Sequence, residues 1–428
     1  MSTIITITEE PLVRSWLFAD KGALISSIAQ KQAVILVCRK NDLDNIQNFL
    51  NIHMVDRQLI KVVVLNKHTE SVIHKFIGFL LRYSEKSEGN SRLRNLLYER
   101  KKITYFGLKT RNLINLILSR LKVNAYLLRA VYGLIPNRSY KNFLLENKCN
   151  FLLCTSLTNF SYDAELLRVA KQLKIKNVGS PRSWDNLVSH GLLRVIPKVF
   201  LSHSEYMTKC AIDYQYIRSS KIIESGTSTY RNLFIPNKKM KNSKINIAIG
   251  CVGPNSNPSE YEFITRFVPG ALKIYPDLEF TIIQHPKFLH LARFELDQTT
   301  ELVFDFKGYD SLKDYYATLG KFDLLLTSGS TIGLDALFVG TNVECYFIDL
   351  VTTGYWESSS RYLTHRTHYK DFINKMNLVV HYSIDSIIQS VEELMSDSKR
   401  PPILPTFFTG YPTNNFDLKI LNEVGITS

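Results

Sequence analysis

The chain has 428 residues and carries 53 Lys and Arg against 39 Asp and Glu, a formal net charge of +14. A composition that is 45% hydrophobic, 21% charged and 11% aromatic excludes disordered, collagen-like and low-complexity chains, and the length suits two or three domains with their own cores. The six cysteines (Cys38, Cys149, Cys154, Cys210, Cys251 and Cys345) follow neither zinc-site spacing nor a disulfide framework, which points to a reducing compartment.

No basic-then-apolar leader opens the sequence, since Glu9 and Glu10 come early. No run of about 18 uncharged apolar residues predicts a spanning helix. In chain order, strands are predicted over Ala33–Cys38, Lys61–Leu65, Phe151–Thr155, Val199–Ser202, Ile245–Ile249, Glu279–Gln284, Leu302–Phe306, Leu324–Thr327 and Asn342–Ile348. Most are continuous Val, Ile, Leu and Phe runs, as in strands covered on both faces. Helices are predicted between them over Asp163–Leu173, Tyr261–Ile274, Ser311–Leu319, Thr331–Val339 and Ile384–Met395. The alternation predicts an α/β fold with mostly parallel sheets.

The charge is unevenly placed. Residues 1–240 carry 37 basic and 17 acidic side chains, a net of +20, and residues 241–428 carry 16 and 22, a net of −6. The polar stretch Ile235–Ser243, with Pro236, falls at this change of sign and is the predicted domain boundary. It divides the chain into a basic domain over 1–240, a second domain over 241–400, and a tail over 401–428 expected to return to the first domain. Ligands of such sheets bind at the carboxyl ends of the strands, so the cleft between the domains is the expected site. Residues 82–148 hold 15 basic and 4 acidic side chains. Within them Asn112–Pro136 is mostly apolar but carries Arg120, Lys122 and Arg129. It reads either as a packed helix or as a helix lying in a membrane interface.

Five local patterns bear on chemistry. Asp42-Leu-Asp44 matches a metal-diphosphate D-x-D but reads better as a turn. Asn177–His190 places Trp184, Asp185 and Asn186 in a polar loop after a short strand; the indole can stack on a sugar and Asp185 can take a hydroxyl proton, or Asp185 caps the next segment. Ile245–Pro254 puts Gly250 and Gly253 at the end of a strand, without a dinucleotide fingerprint. Phe280–Pro286 ends a strand at His285, placed to donate to a diphosphate oxygen. Leu324–Leu337 runs a strand into Thr327, Ser328, Gly329, Ser330 and Thr331 and then a helix, an arrangement suited to an anion, with Asp335 one turn in as a ribose acceptor. His365 and His368 lie three apart with no third ligand in view, so no metal site is predicted.

Ser183-Trp-Asp-Asn-Leu187, Gly226-Thr-Ser-Thr-Tyr-Arg-Asn-Leu233, His285-Pro286 and Ser328-Gly-Ser-Thr-Ile-Gly-Leu-Asp-Ala-Leu337, in this order, resemble GT-B glycosyltransferase-like proteins of bacterial surface-polysaccharide synthesis. These are related to the CDP-glycerol glycerophosphotransferases and, more distantly, to the UDP-N-acetylglucosamine 2-epimerases. The resemblance spans about Leu152 to Met395, and the first 150 residues share only the strand–helix rhythm. It implies two Rossmann-like domains facing across a cleft. The second would hold a nucleotide-sugar donor through Gly253, His285, Ser328, Gly329, Ser330, Thr331 and Asp335, without a metal and without a tightly bound cofactor. Asp335 stands where such families usually carry Glu, and Ser228 and Arg231 replace their usual Pro and Asp, so those two positions receive no role.

The function expected from this resemblance is sugar transfer to a cell-surface glycan or lipid-linked acceptor by a cytoplasmic enzyme; a peripheral place on the inner membrane face is a separate expectation, motivated by the basic residues 82–148. Asp185 would be the base and His285 would stabilise the leaving diphosphate, with Trp184 and Asn186 on the acceptor side. Transfer of a CDP-activated polyol phosphate, epimerisation of a sugar nucleotide and a non-catalytic scaffold are the alternatives. A nucleic-acid partner is not expected, because no reader module accompanies the basic half.

Overall fold

The computed structural model describes residues 1–7, 19–53, 59–65, 71–120, 122–157, 162–226, 244–254, 256–285, 294, 296–304, 309–329, 331–351, 354–361, 366–396, 404–410 and 416–425. The expected boundary at Ile235–Ser243 lies outside these residues, as do Ser330, His365 and Thr227–Leu233.

The first domain is built on seven strands, β1 (Ser2–Thr6), β2 (Ala33–Cys38), β3 (Ile60–Val64), β4 (Cys149–Cys154), β5 (Lys176–Gly179), β6 (Val199–Ser202) and β7 (Ile222–Glu224). The second is built on six, β8 (Asn246–Gly250), β9 (Glu279–Gln284), β10 (Thr299–Val303), β11 (Leu324–Thr327), β12 (Asn342–Tyr346) and β13 (Val379–His381). The sheet orders are β3-β2-β1-β4-β5-β6-β7 and β10-β9-β8-β11-β12-β13, and the pairings are parallel. Each sheet contains the Rossmann order 3-2-1-4-5-6, whose direction reverses between its first and fourth strands. Successive residues of one strand serve opposite faces. Ile4 and Leu152 pack on one side of the first sheet, and Ile5 and Leu153 on the other. This two-sided burial explains the unbroken apolar runs of the sequence.

The helices of the first domain are α1 (Ala19–Ala29), α2 (Leu43–His53), α3 (Val72–Tyr83), α4 (Glu88–Glu99), α5 (Tyr105–Leu118), α6 (Lys122–Leu134), α7 (Arg138–Glu146), α8 (Asp163–Gln172), α9 (Asn186–Ser189) and α10 (Glu205–Asp213). Those of the second are α11 (Glu260–Ile274), α12 (Tyr309–Leu319), α13 (Thr331–Phe338), α14 (Thr367–Met376) and α15 (Ile384–Met395), followed by α16 (Thr406–Thr409) and α17 (Phe416–Val424). Many starts are capped as the sequence chemistry demands: Ser71, Ser87, Thr104, Asn137, Ser204 and Ser383 each accept from a backbone N–H one turn on. Among the described residues five helices, α3 to α7, lie in the crossover between β3 and β4. The stretch Asn112–Pro136 is not one helix. It breaks between α5 and α6, where the Asn124 side chain donates to the terminal carbonyls of Ile117 and Leu118 at 3.3 and 3.4 Å. Asp42 lies buried in a short 3-10 turn that leads into α2, and Asp44 sits in the first turn of α2.

An aromatic seam joins the two domains. Trp184 meets His368 and Phe372 of α14 at ring-centroid distances of 5.0 and 5.8 Å, and Phe408 of α16 at 5.6 Å. Tyr206 packs on Phe408 and donates to Asp371 at 3.2 Å. At the rim, Arg92 donates to the Trp356 carbonyl, Glu99 accepts from the Trp356 N–H, and Arg100 pairs with Glu357. After α16 the chain returns to the first domain. α17 packs on α1, Ile420 is buried among first-sheet residues, and Lys419 donates to the Glu224 carbonyl.

Gly191 has φ +79, and a Cβ there would lie 2.4 Å from the Arg82 carbonyl oxygen at the end of α3. Gly191→Ala is therefore expected to destabilise the fold by about 1–3 kcal/mol. Urea unfolding of the two proteins checks this, and an unchanged midpoint would contradict it.

Candidate functional site

In the second sheet β8 lies between β9 and β11, and Gly250 pairs with Ile283 and with Thr327. The loops after these three strands carry Gly253, His285 and Ser328–Gly329. They therefore emerge side by side at the β8/β11 switch point, where an α/β sheet opens a crevice. Gly250 permits this closeness, since a Cβ there would meet Ile332 of α13 at 2.8 Å. Gly329 has φ +124, a conformation that suits glycine alone, and α13 begins two residues later. His285 is half-buried.

Two of the expected donor contacts are placed differently. Gly253 has φ +80, but its N–H and that of Val252 donate to the two carboxyl oxygens of Glu260 at 2.9 and 2.8 Å. Gly253 thus shapes the crevice, and its N–H is already engaged. Burial pushes the Glu260 carboxyl up to about 7 against the pull of those two N–H groups. Asp335 is buried, and its two oxygens accept from the Tyr315 and Tyr316 hydroxyls at 3.0 Å each. Both oxygens bind α13 to α12, so a ribose contact there would have to compete with two phenols. Ser328 is buried beside the Tyr346 hydroxyl.

On the first domain the loop after β5 carries the other candidates. Trp184 is 6% exposed and packed into the seam, so no face of it is open to stack on a sugar. Asn186 is buried; its carbonyl accepts from Ser183 N–H at 3.1 Å and its amide donates to Asp185 at 3.2 Å. The second of these bonds ties it to the Asp185 side chain. Asp185 makes no cap bond to α9, and its second oxygen accepts from Ser189 at 3.3 Å. His190 lies beside it, and His368 and Arg366 reach it from the second domain. Burial opposes ionisation of Asp185, but these groups and the Ser183 hydrogen bond outweigh it and hold the carboxyl at about 2. Burial lowers His368 to about 3 and also lowers His190, so at neutral pH Asp185 is the anion and both imidazoles are neutral. Arg82 and Arg182 complete this field around His190.

The sequence reading missed Arg82, Arg182 and Arg366, and gave His368 only a rejected metal role. No local pattern marks them: Arg82 and Arg182 act on His190, and Arg82, Arg366 and His368 arrive only once α3 and α14 dock against the loop after β5. A cavity of 610 Å³ lies elsewhere, lined by Asn342, Glu344, Asn377, His381 and Ser390. Four of its polar residues bond one another: His381 contacts Glu344 at 2.8 Å and Ser386 at 3.1 Å, and Ser390 donates to Glu344 at 2.8 Å. This network fastens α15 to the edge strand β13 and lies apart from the switch point.

No protein-family model matches the sequence, and no curated protein matches it. Solved structures do share its fold along its whole length. The UDP-GlcNAc 2-epimerase of Methanocaldococcus jannaschii superposes with a TM-score of 0.54 at 14% identity, covering 100% of both chains. That of Neisseria meningitidis, bound to UDP-GlcNAc, gives 0.53 at 12% identity, again covering 100% of both. The Staphylococcus aureus MnaA–UDP structure gives 0.53 at 11% identity, covering 100% of this chain and 98% of the other. The fold is GT-B. In this GT-B frame the switch point of the second sheet and the Asp185 loop of the first domain are the two halves of the candidate site.

The Asp185 environment has a pH consequence. A carboxyl at about 2 in the folded chain, against 3.8 ordinarily, contributes stability that is complete above the ordinary value and is lost as pH falls through about 2. The stability difference between the native protein and Asp185→Asn should therefore shrink between about pH 4 and pH 2. Urea unfolding across that range measures it, and a difference independent of pH would contradict the assignment.

Proposed function

We propose that the protein binds a nucleotide-activated sugar at the β8/β11 switch point and transfers the sugar to an acceptor held by the first domain. The placement of His285 at the end of β9, and of Ser328–Gly329 with the start of α13 at the end of β11, on either side of β8, carries this reading. Backbone N–H groups at the start of α13 and the helix dipole suit a diphosphate, and Gly329 lets it approach the main chain. His285 donates to the same diphosphate as it leaves.

In this reading an acceptor hydroxyl attacks the anomeric carbon. The new carbon–oxygen bond forms as the bond to the diphosphate breaks, and the nucleoside diphosphate departs with the electron pair. The hydroxyl proton passes to Asp185. A carboxylate held near 2 is a weak base. It therefore orients the hydroxyl first and takes its proton late, as the attacking oxygen becomes acidic in the transition state. The acceptor is a cell-surface glycan or a lipid-linked one at the inner face of a membrane, and the enzyme works without a bound metal.

A second reading, epimerisation of the sugar nucleotide, draws on the epimerase structures that share the fold. The two separate experimentally: an epimerase converts the nucleotide sugar with no acceptor present. Transfer of a CDP-activated polyol phosphate separates from both by a preference for cytidine nucleotides in a thermal-shift panel. His285→Ala is expected to lower turnover by about 10²- to 10³-fold and to weaken the nucleotide-induced rise in melting temperature. Asp185→Asn should lower turnover by about 10²- to 10⁴-fold while leaving that rise intact. Unchanged turnover in both variants would overturn the proposal.

A further inference from the structure

The helices between β3 and β4 present a surface that neither sheet requires. α3 packs against both α5 and α6, and the three helices turn Ile77, Leu81, Leu108, Ala125 and Tyr132 inward. Their outer faces are also apolar. Val72 is 82% exposed, Phe106 79% and Leu134 80%, and Phe76, Leu113 and Leu127 are exposed beside them. Apolar side chains of this size on three adjoining helices mark a surface that is covered in use.

The charge says by what. Between Glu99 and Glu146 the sequence has ten Lys and Arg and no Asp or Glu, and α3 has no acidic residue either. Two of the arginines face inward: Arg129 is buried against the Leu193 and Gln215 carbonyls, and Arg111 lies over Phe79 and Tyr83 of α3. The exposed cations include Lys75, Lys109 and Lys122 on the three helices, Arg120 between α5 and α6, and Lys101 and Lys102 just before α5. A second copy of the chain docking through the same face would set this positive charge against itself. An anionic lipid surface complements it, taking the apolar side chains into the headgroup–acyl boundary and the lysines at phosphate level. No helix among the described residues is long and apolar enough to cross a membrane, so the contact is with the surface.

We infer that the outer face of α3, α5 and α6 docks this protein on an anionic lipid bilayer. α3 connects this face to the candidate site. It starts at the exposed Val72 and carries in its last turn Arg82, whose charge acts on His190. The docking stands independently of the transferase reading; the lipid-linked acceptor rests on it.

The test is flotation of the full chain with phosphatidylcholine vesicles, with and without about one-third phosphatidylglycerol, at about 0.1 M and 0.5 M salt. The protein should float with the anionic vesicles at low salt and much less with the neutral ones. The triple variant Phe106→Ser, Leu127→Ser, Leu134→Ser should reduce the floating fraction by about tenfold, and Lys109→Glu with Lys122→Glu should abolish the salt-sensitive part. Nucleotide thermal shifts run in parallel separate the two readings, because they should be unchanged in both variants. Failure of the native chain to float, or floating of both variants at the native level, would overturn the inference. A native dimer that the triple variant turns into monomer would assign the face to a second copy and overturn it too.

Discussion

The indole of Trp184 is held edge-on by His368, Phe372 and Phe408, and the geometry of the candidate site depends on that packing. Trp184 and Asp185 are neighbours in sequence, so the contact that docks α14 also brings Arg366 and His368 to the Asp185 carboxylate. Burial of such a ring is worth about 3–5 kcal/mol. The half-exposed pair Lys370–Glu88 at the rim is worth about 0–1 kcal/mol. The apolar contact sets the relative position of the domains, and the ion pairs adjust it. One buried cluster runs from Leu152 in the first sheet through Trp184 and Phe372 to Leu325 in the second, so the two domains share a core.

The same economy governs charge. The half that would hold a diphosphate is net negative, and its switch point relies on main-chain groups and His285. The positive excess gathers in the helical crossover of the other half, where it has no donor to bind. A diphosphate site of this kind needs short-range, oriented donors, which a loop at a helix start supplies. A membrane surface needs only a dense positive field beside apolar side chains, which α3, α5 and α6 supply. In the proposed reading the two anionic partners call for different physics and fall to different domains.

Much of the fold was legible because both faces of each sheet are covered. Runs such as Ala33–Cys38 and Leu324–Thr327 have to be apolar throughout, and both coincide with the observed strands. β1 escaped because Ser2, Thr3 and Thr6 interrupt it with hydroxyls, although all five residues are buried. β7 and β13 escaped because three residues are too few for a pattern. The break between α5 and α6 has no Pro or Gly to announce it, since a single asparagine supplies the cap. The candidate site was legible where a strand ends in a glycine and hydroxyl turn. It was not legible where roles depend on distant residues. Asp335 is tied to Tyr315 and Tyr316, the Gly253 N–H to Glu260, and Trp184 to α14, and each of these is a tertiary contact.

The central claim is that a nucleoside diphosphate sits at the β8/β11 switch point. A crystal structure of the protein with UDP or another nucleoside diphosphate tests it most directly. The account predicts the diphosphate within hydrogen-bonding distance of His285 and of the backbone N–H groups at Gly329–Thr331, with Asp185 across the seam from it. A diphosphate seated instead among the arginines of the first domain, or beside Glu344 and His381, would contradict it.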